Sequence, residues 1–271
     1  MYQFHPHAAS VRQLLENDYA LHPEVRWSFE NEIDSQPLIR QRAEALQEWE
    51  MADGILCASS FTKSSLVQQG CREDKIRVVP YGIFPDALTA IEQPQNRKIC
   101  RFIFVGQGVQ RKGLHHLLKA WKLASLKDAE LVVVAKKLDP GLFPLMDQPN
   151  VKHYSGLSDQ ELKALYNEAS IFVMPSLVEG FGLVYLEALA AGLHCIGTMN
   201  TGLPDLQLPS ECASIVSIGD VQGLANVIVA ITESYRRGEI YKERIKNAVK
   251  ALTWDMRRSE LRSVIAEMTK E

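Results

Sequence analysis

Two kinds of apolar pattern alternate along most of this 271-residue chain. Short apolar runs bounded by glycine, proline or polar residues predict buried strands, and longer stretches with apolar positions three and four apart predict amphipathic helices. In the back part the strand-like runs fall at residues 102–105, 131–135, 151–154, 171–174, 195–197 and 214–217, with helical segments between most of them. That alternation predicts a parallel, doubly wound α/β sheet. Such sheets hold ligands outside the carboxyl ends of their strands. A helix is predicted over residues 114–124. From Leu183 onward, Leu183, Leu186, Leu189 and Ala190 recur at helical spacing.

The front part reads differently. Residues 11–52 carry helical patterning with many charges, and 35–51 predict one amphipathic helix with Leu38, Leu46 and Trp49 on its apolar side. A short buried strand follows at 55–58, preceded by Asp53, whose reading is structural. Ser59 or Ser60 is suited to cap the next helix, which Gly70 closes as a C-terminal glycine. A second strand at 76–79 stops at Pro80-Tyr81-Gly82. Residues 85–98, with Pro85, Pro94, Gln95 and Asn96, read as an interdomain linker, and 241–271 as a charged helical tail.

Composition narrows the class. Hydrophobic residues at 46% and charged residues at 23% describe an ordinary globular protein. A net charge of −3 gives no basic footprint, so no nucleic-acid partner is expected. Cys57, Cys71, Cys100, Cys195 and Cys212 are an odd, scattered set without a C-x-x-C pair, which points to reduced, mostly buried thiols. No apolar run approaches the ~18 residues of a membrane helix, and Met1 to His7 lack the pattern of a signal peptide. The expected location is cytoplasmic or peripheral at a membrane.

The candidate chemistry sits at strand ends. After the run at 171–174, Pro175 and Ser176 end the strand, and Glu179-Gly180-Phe181-Gly182 lead into the helix that starts at Leu183. A glycine-bearing loop opening a helix N-terminus offers free N–H groups and a positive dipole end, a combination suited to phosphate. Glu179 stays in the loop and Glu187 falls about one turn into the helix. Two carboxylates flanking one anion site suit a nucleotide-sugar, with pyrophosphate between them, ribose hydroxyls on one carboxylate and sugar hydroxyls beside the other. The second phosphate candidate is Gly106-Gln107-Gly108-Val109-Gln110-Arg111-Lys112-Gly113, between the strand at 102–105 and the helix at 114–124. As a dinucleotide fingerprint it lacks the third glycine, where Arg111 stands. As a P-loop it fails at Leu114-His115.

The stretch Pro175-Ser176-Leu177-Val178-Glu179-Gly180-Phe181-Gly182-Leu183-Val184-Tyr185-Leu186-Glu187-Ala188 resembles the glycosyltransferases of the group 1 family, retaining enzymes of GT-B fold. The likeness continues through Ala190-Ala191-Gly192 to Ile196-Gly197-Thr198, then Thr201-Gly202-Leu203-Pro204-Asp205. It departs at His194, where proline is usual, and at Asp205, where glutamate is usual. Val79-Pro80-Tyr81-Gly82 and Leu252-Thr253-Trp254 are similar to further family features. The resemblance implies a Rossmann-like nucleotide-sugar-binding domain at 99–251, the end of an acceptor-side domain at 1–84, and a helix crossing back at 252–271. It also implies a front domain that is incomplete here, since over a hundred residues normally precede this point.

By the same resemblance, Glu179, Lys112 and Arg111 are the catalytic group. Lys112 grips the donor diphosphate, Arg111 adds a second cation where the family's arginine is replaced by Gln107, and Glu179 positions the sugar. Gly106, Lys112, Glu179, Gly180, Phe181, Gly182, Leu183 and Glu187 line the donor site. The implied substrates are a UDP- or GDP-sugar and a glycan or lipid-linked acceptor, with retention, no cofactor and no metal, as in polysaccharide biosynthesis. The alternative is a nucleotide-sugar-binding module or split remnant, inactive alone and completed by a partner chain or by self-association through the incomplete front. Other candidates read as structural. His115 and His116 fall in one helical turn, one of them facing solvent, and a metal role lacks partners. His5 and His7 flank Pro6 in a His-Pro pattern that some family members carry near the acceptor side, His194 packs at a strand start, and Ser59-Ser60 has no Gly-x-Ser-x-Gly elbow.

Overall fold

The computed structural model describes residues 2–3, 5–33, 48–84, 99–240 and 242–269. The linker segment 85–98 and most of the helix expected at 35–51, including Leu38 and Leu46, lie outside the described residues; Glu48–Met51 is helical.

The front part holds a three-stranded parallel sheet of β1 (Tyr2–Gln3), β2 (Ile55–Cys57) and β3 (Ile76–Val78), in that order. Helices α1 (Ala8–Leu21) and α2 (Arg26–Ile33) follow β1, and α3 (Ser60–Val67) follows β2. Ser59 caps α3 by accepting from Thr62 N at 3.1 Å, and Gly70, at φ +99°, lets the chain turn back so that Cys71 N reaches Leu66 O at 3.1 Å. A small core of Ile55, Cys57, Leu66, Cys71 and Ile76 forms beneath, with Trp49 packed against it.

The back part is a six-stranded, all-parallel sheet. Its strands are β4 (Cys100–Val105), β5 (Ala129–Val134), β6 (Val151–Tyr154), β7 (Ile171–Val173), β8 (His194–Thr198) and β9 (Ala213–Val216). Their spatial order is β6-β5-β4-β7-β8-β9. Central strands are buried on both sides, which is why they appear in the sequence as unbroken apolar runs. Its longer helices are α4 (Leu114–Ala124), α5 (Asp159–Glu168), α6 (Leu183–Ala190), α7 (Val221–Arg236) and α8 (Lys242–Val249), with a short helix at Phe143–Met146. Helix α4 packs with α7, and α6 with α8. The chain runs outward from β4 to β5 in one direction and from β7 to β8 in the other. Right-handed crossovers therefore place the connecting helices on opposite faces, the doubly wound arrangement expected from the alternation.

This order has one consequence for function. Strands β4 and β7 are neighbours, paired through Phe102–Ile171 and Ile103–Phe172, yet the chain leaves them in opposite directions. The crevice at their carboxyl ends is the topological switch point, where such sheets receive ligands. The two loops singled out in the sequence, 106–113 and 175–182, are the ones that leave β4 and β7.

The front and back parts share buried contacts. Val25 belongs to the main core, and Leu15 packs with Leu177 and Val178. Ser28 N donates to Asp139 Oδ2 at 2.7 Å, and Gln110 N donates to Ser28 Oγ at 3.0 Å. The last helix, α9 (Trp254–Met268), follows a bridge between Ile83 and Thr253, and Met268 lies against Gly54. No helix among the described residues is long and apolar enough to cross a membrane. All five cysteines are free and buried.

Candidate functional site

The loop after β4 ends in a single helical turn, Gln110–Lys112, and Gly113 then starts α4 in the left-handed region at φ +69°. A side chain here would strain the backbone and would also overlap the carbonyl oxygen of Pro175. Gly113 thus lets the β4 loop and the β7 loop touch. The contact is reinforced by Leu177 N and Val178 N, which donate to Arg111 O at 2.9 and 3.2 Å.

The rest of the β7 loop is held from three sides. Glu179 N donates to Asn200 O at 3.0 Å, and Gly202 N donates to Phe181 O at 2.8 Å. Gly180 O accepts from Ser59 Oγ at 2.5 Å and from Thr62 Oγ1 at 3.3 Å, so the start of α3 pins this loop. Tyr81 meets the Phe181 ring edge-on at 4.9 Å between centroids. Gly182, at φ +90°, opens α6 with no capping side chain. Asp205, in the turn after β8, accepts from Ser60 N at 3.0 Å and from Ser60 Oγ, tying that turn to α3.

These loops bring Lys112, Arg111 and Glu179 together. Lys112 Nζ contacts Glu179 Oε2, and Arg111 Nη1 lies 3.8 Å from the same oxygen. Arg111 Nε donates to Glu32 Oε1 at 3.1 Å, and its Nη2 to Gln107 Oε1 at 3.5 Å. All three cluster residues are half-buried. Burial, with the Arg111 charge beside it, pulls the Lys112 ammonium down to about 7, and the Glu32 carboxylate acts against that. Two basic side chains and one carboxylate thus meet beside the helix start at Gly182, with Glu179 between Lys112 and Arg111.

Glu187 stands apart from this cluster. It sits one turn into α6 on an exposed position and accepts from Tyr166 Oη at 3.3 Å. Desolvation raises its pKa, and the Tyr166 bond opposes the rise. Gly106 follows β4 directly. A methyl group placed there would meet nothing closer than 3.8 Å, so internal packing alone does not call for glycine at this position. Leu183 is exposed at the start of α6.

One expectation is overturned. His115 and His116 do not divide between solvent and core. Both are buried, at 0% and 2% exposure, and both meet partners on α1. His115 Nε2 lies 3.1 Å from Asp18 Oδ2, His116 Nε2 lies 2.9 Å from Asp18 Oδ1, and His22 packs edge-on against both rings. Helix α1 covers the turn of α4 that the local pattern leaves open, a contact nearly a hundred residues away in sequence. His194 behaves as expected, buried at the start of β8 with ring nitrogens 3.0 Å from Glu211 O and 2.9 Å from Ser214 Oγ. Glu32 and Gln110 were missed as site residues. Gln110 is wholly buried, donating to Leu15 O and Asp18 Oδ2 at 2.9 and 2.8 Å, and nothing in its neighbours along the chain signals that.

The family model for glycosyl transferases group 1 matches residues 90–251, which contain both loops and the whole six-stranded sheet. The chain belongs to the group 1 glycosyl transferases. Among curated relatives it is similar to an MMP alpha-(1->4)-mannosyltransferase of Mycolicibacterium hassiacum. That match is 33% identical over 193 residues, 67% of this chain and 46% of the relative. It is similar to the capsular polysaccharide biosynthesis glycosyltransferase CapM of Staphylococcus aureus at 28% over 245 residues, 81% of this chain and 63% of CapM. This group 1 chain therefore spans about half to two thirds of the relatives it matches. Among solved structures, a glycosyltransferase from Rickettsia africae aligns with TM-score 0.66 at 18% identity, covering 80% of this chain and 64% of that one. Anabaena HepE in complex with UDP aligns with TM-score 0.66 at 16% identity, with the same coverage. These likenesses establish the GT-B fold.

Proposed function

We propose that this group 1 chain binds a nucleotide-sugar donor at the β4–β7 switch point and transfers its sugar to a glycan or lipid-linked acceptor with retention of configuration. The observation that carries the reading is the meeting of Lys112, Arg111 and Glu179 where the two loops leave neighbouring strands. The family match and the UDP complex of the HepE neighbour support it.

In this reading the donor diphosphate lies between Lys112 and the N–H groups that open α6 at Gly182. It competes with Glu179 for the lysine. Glu179, released, turns to the sugar hydroxyls and holds the anomeric carbon toward the acceptor. As the bond to the diphosphate breaks, negative charge grows on the leaving oxygen. Lys112, Arg111 and the helix end then stabilise that charge without rearranging. The open space at Gly106 admits the backbone of the loop close to the nucleotide, and Glu187 takes the ribose hydroxyls. Fixed cations do the work a divalent ion does elsewhere, so no metal is needed for transfer.

Calorimetric titration with UDP, GDP and ADP tests the donor half, and donor consumption with a panel of lipid-linked and glycan acceptors tests transfer. One of the three nucleotides is expected to bind best, and the product anomer is expected to match the donor. Equal, weak binding of all three to the parent and to Lys112→Ala would remove the donor site from this cleft. Donor binding without turnover would leave the chain as a nucleotide-sugar-binding module that needs a partner chain.

A further inference from the structure

Among the described residues, a cluster of histidine and aspartate side chains outside the proposed donor cleft lies between α1 and α4. We propose that Asp18, His22, His115 and His116 form a binding site for a zinc ion that clamps α1 to α4.

Asp18 and His22 are four residues apart and so share one face of α1. His115 and His116 occupy the first turn of α4. One candidate ligand atom from each of the four lies within 4.8 Å of all the others. Asp18 Oδ2 is 3.1 Å from His115 Nε2, and Asp18 Oδ1 is 2.9 Å from His116 Nε2. The three imidazole rings are packed at 3.9, 4.8 and 5.2 Å between centroids. Ligand atoms about 2.0–2.2 Å from one tetrahedral ion stand roughly 3.3–3.6 Å apart, which falls between the Asp18–histidine contacts of 2.9 and 3.1 Å and the 4.8 Å that bounds the set.

Hydrogen bonding leaves this cluster unfinished. His115 Nδ1 and both ring nitrogens of His116 are buried without a hydrogen-bond partner among the described residues, although His116 Nε2 is near Asp18. His116 Nε2, buried and 2.9 Å from Asp18 Oδ1 without a well-aligned hydrogen bond, is a lone pair aimed into the cluster that a shared cation accounts for. Three imidazoles and one carboxylate are a nitrogen–oxygen set that zinc accepts, and four protein ligands make a closed, structural site with no open position.

The surroundings fit an outer shell. Gln110 Nε2 donates to Asp18 Oδ2 at 2.8 Å and orients the carboxylate. Lys119 now lies 2.7 Å from His22 Nδ1 and also contacts Glu24, whose Oε1 is 3.7 Å from the same ring nitrogen. With Nε2 on the ion, the proton moves to Nδ1 and Glu24 is placed to accept it. The clamp would hold the front helix against the helix whose preceding turn carries Arg111 and Lys112.

The untagged 271-residue chain, stripped with a chelator, is titrated with Zn²⁺ by calorimetry and with Co²⁺ by visible absorption. The expected result is one ion per chain, cobalt bands of tetrahedral intensity, and a melting temperature that rises with added zinc. His22→Ala, at the half-exposed end where truncation leaves no core cavity, should weaken zinc binding by about 100-fold and abolish the melting shift. Asp18→Asn, nearly isosteric, should do the same, and His153→Ala should change neither. Excess UDP should not displace the ion. The proposal fails if no stoichiometric ion binds, if His22→Ala and Asp18→Asn bind zinc like the parent, or if UDP releases it.

Discussion

The turn Gln110–Lys112 separates two polar clusters that are built on opposite principles. On one side, Lys112, Arg111 and Glu179 sit at the mouth of the sheet, half-buried, and satisfy one another's charge. On the other, Asp18, His115 and His116 are buried between two helices, with ring nitrogens left unpaired. A charge pair near water can open to admit a ligand, because each ion regains solvent or phosphate as it leaves its partner. A buried cluster has no such exchange, and its unsatisfied groups weigh on the fold itself. The same short segment thus carries the proposed donor contacts in one direction and ties front to back in the other. The two roles can be separated by substitution.

The largest effect is expected from Asp18→Ala. It leaves Gln110, His115 and His116 facing an empty buried position, and stability in urea should fall by about 3 kcal/mol. Nucleoside diphosphate affinity should stay within about threefold, since Gln110 keeps its bonds to Leu15 O and Ser28 Oγ. A parallel collapse of affinity would show that the two clusters are one unit.

Gly113→Ala comes next, at about 2–3 kcal/mol, from left-handed strain and overlap with the Pro175 carbonyl. This substitution should lower both stability and nucleotide affinity, because it pushes the two loops apart. Parental stability would mean that the loops are not held in contact as described.

Lys112→Ala should reverse the balance. Loss of a charge-assisted phosphate contact is expected to weaken nucleoside diphosphate binding by about 1.5–3 kcal/mol, with stability within about 1 kcal/mol of the parent. Free pyrophosphate should feel the loss too, whereas Glu187→Ala should weaken only the nucleotide. Calorimetry with both ligands decides between them.

The smallest effect concerns pH. The folded Lys112 titrates near 7, below the ordinary lysine value of 10.5, so it loses its proton as pH rises through 7. Diphosphate affinity should therefore decline from pH 6.5 to 8.5, by less than about tenfold per unit. For stability the sign is opposite. The unfolded chain keeps this proton up to about 10.5, so the cost of burying the charge is full below 7 and is relieved above it. Lys112→Arg, charged throughout, should flatten the affinity profile, and a parent profile that is already flat would put Lys112 outside the phosphate contact.

Much of this molecule was legible residue by residue. All six strands of the back sheet lie within two residues of the expected runs; the central ones, buried on both faces, leave an unbroken apolar signal, whereas the edge strands β6 and β9 are largely exposed or half-buried. Helix Leu114–Ala124 occurs at its expected residues, marked by Gly113 and the apolar spacing. The candidate donor residues were legible as two loops with charges and glycines. Strand β1, two residues long, carries no periodicity to read. Gln110 and Glu32 were invisible because each looks like an ordinary exposed polar residue until another segment covers it.

By itself, then, the sequence determined what is encoded within about ten residues. This covers strand and helix identity, the stereochemical need for glycine at 113 and 182, and the presence of two glycine-bearing loops at strand ends. The tertiary structure decided which of these meet. Lys112 and Glu179 are 67 residues apart and touch only because β4 and β7 are neighbours in the sheet. Asp18 and His115 are 97 apart and touch only because α1 lies on α4. Local propensity is a property of short windows, whereas burial and pairing depend on which distant surface arrives, and that surface leaves no trace in the window it covers.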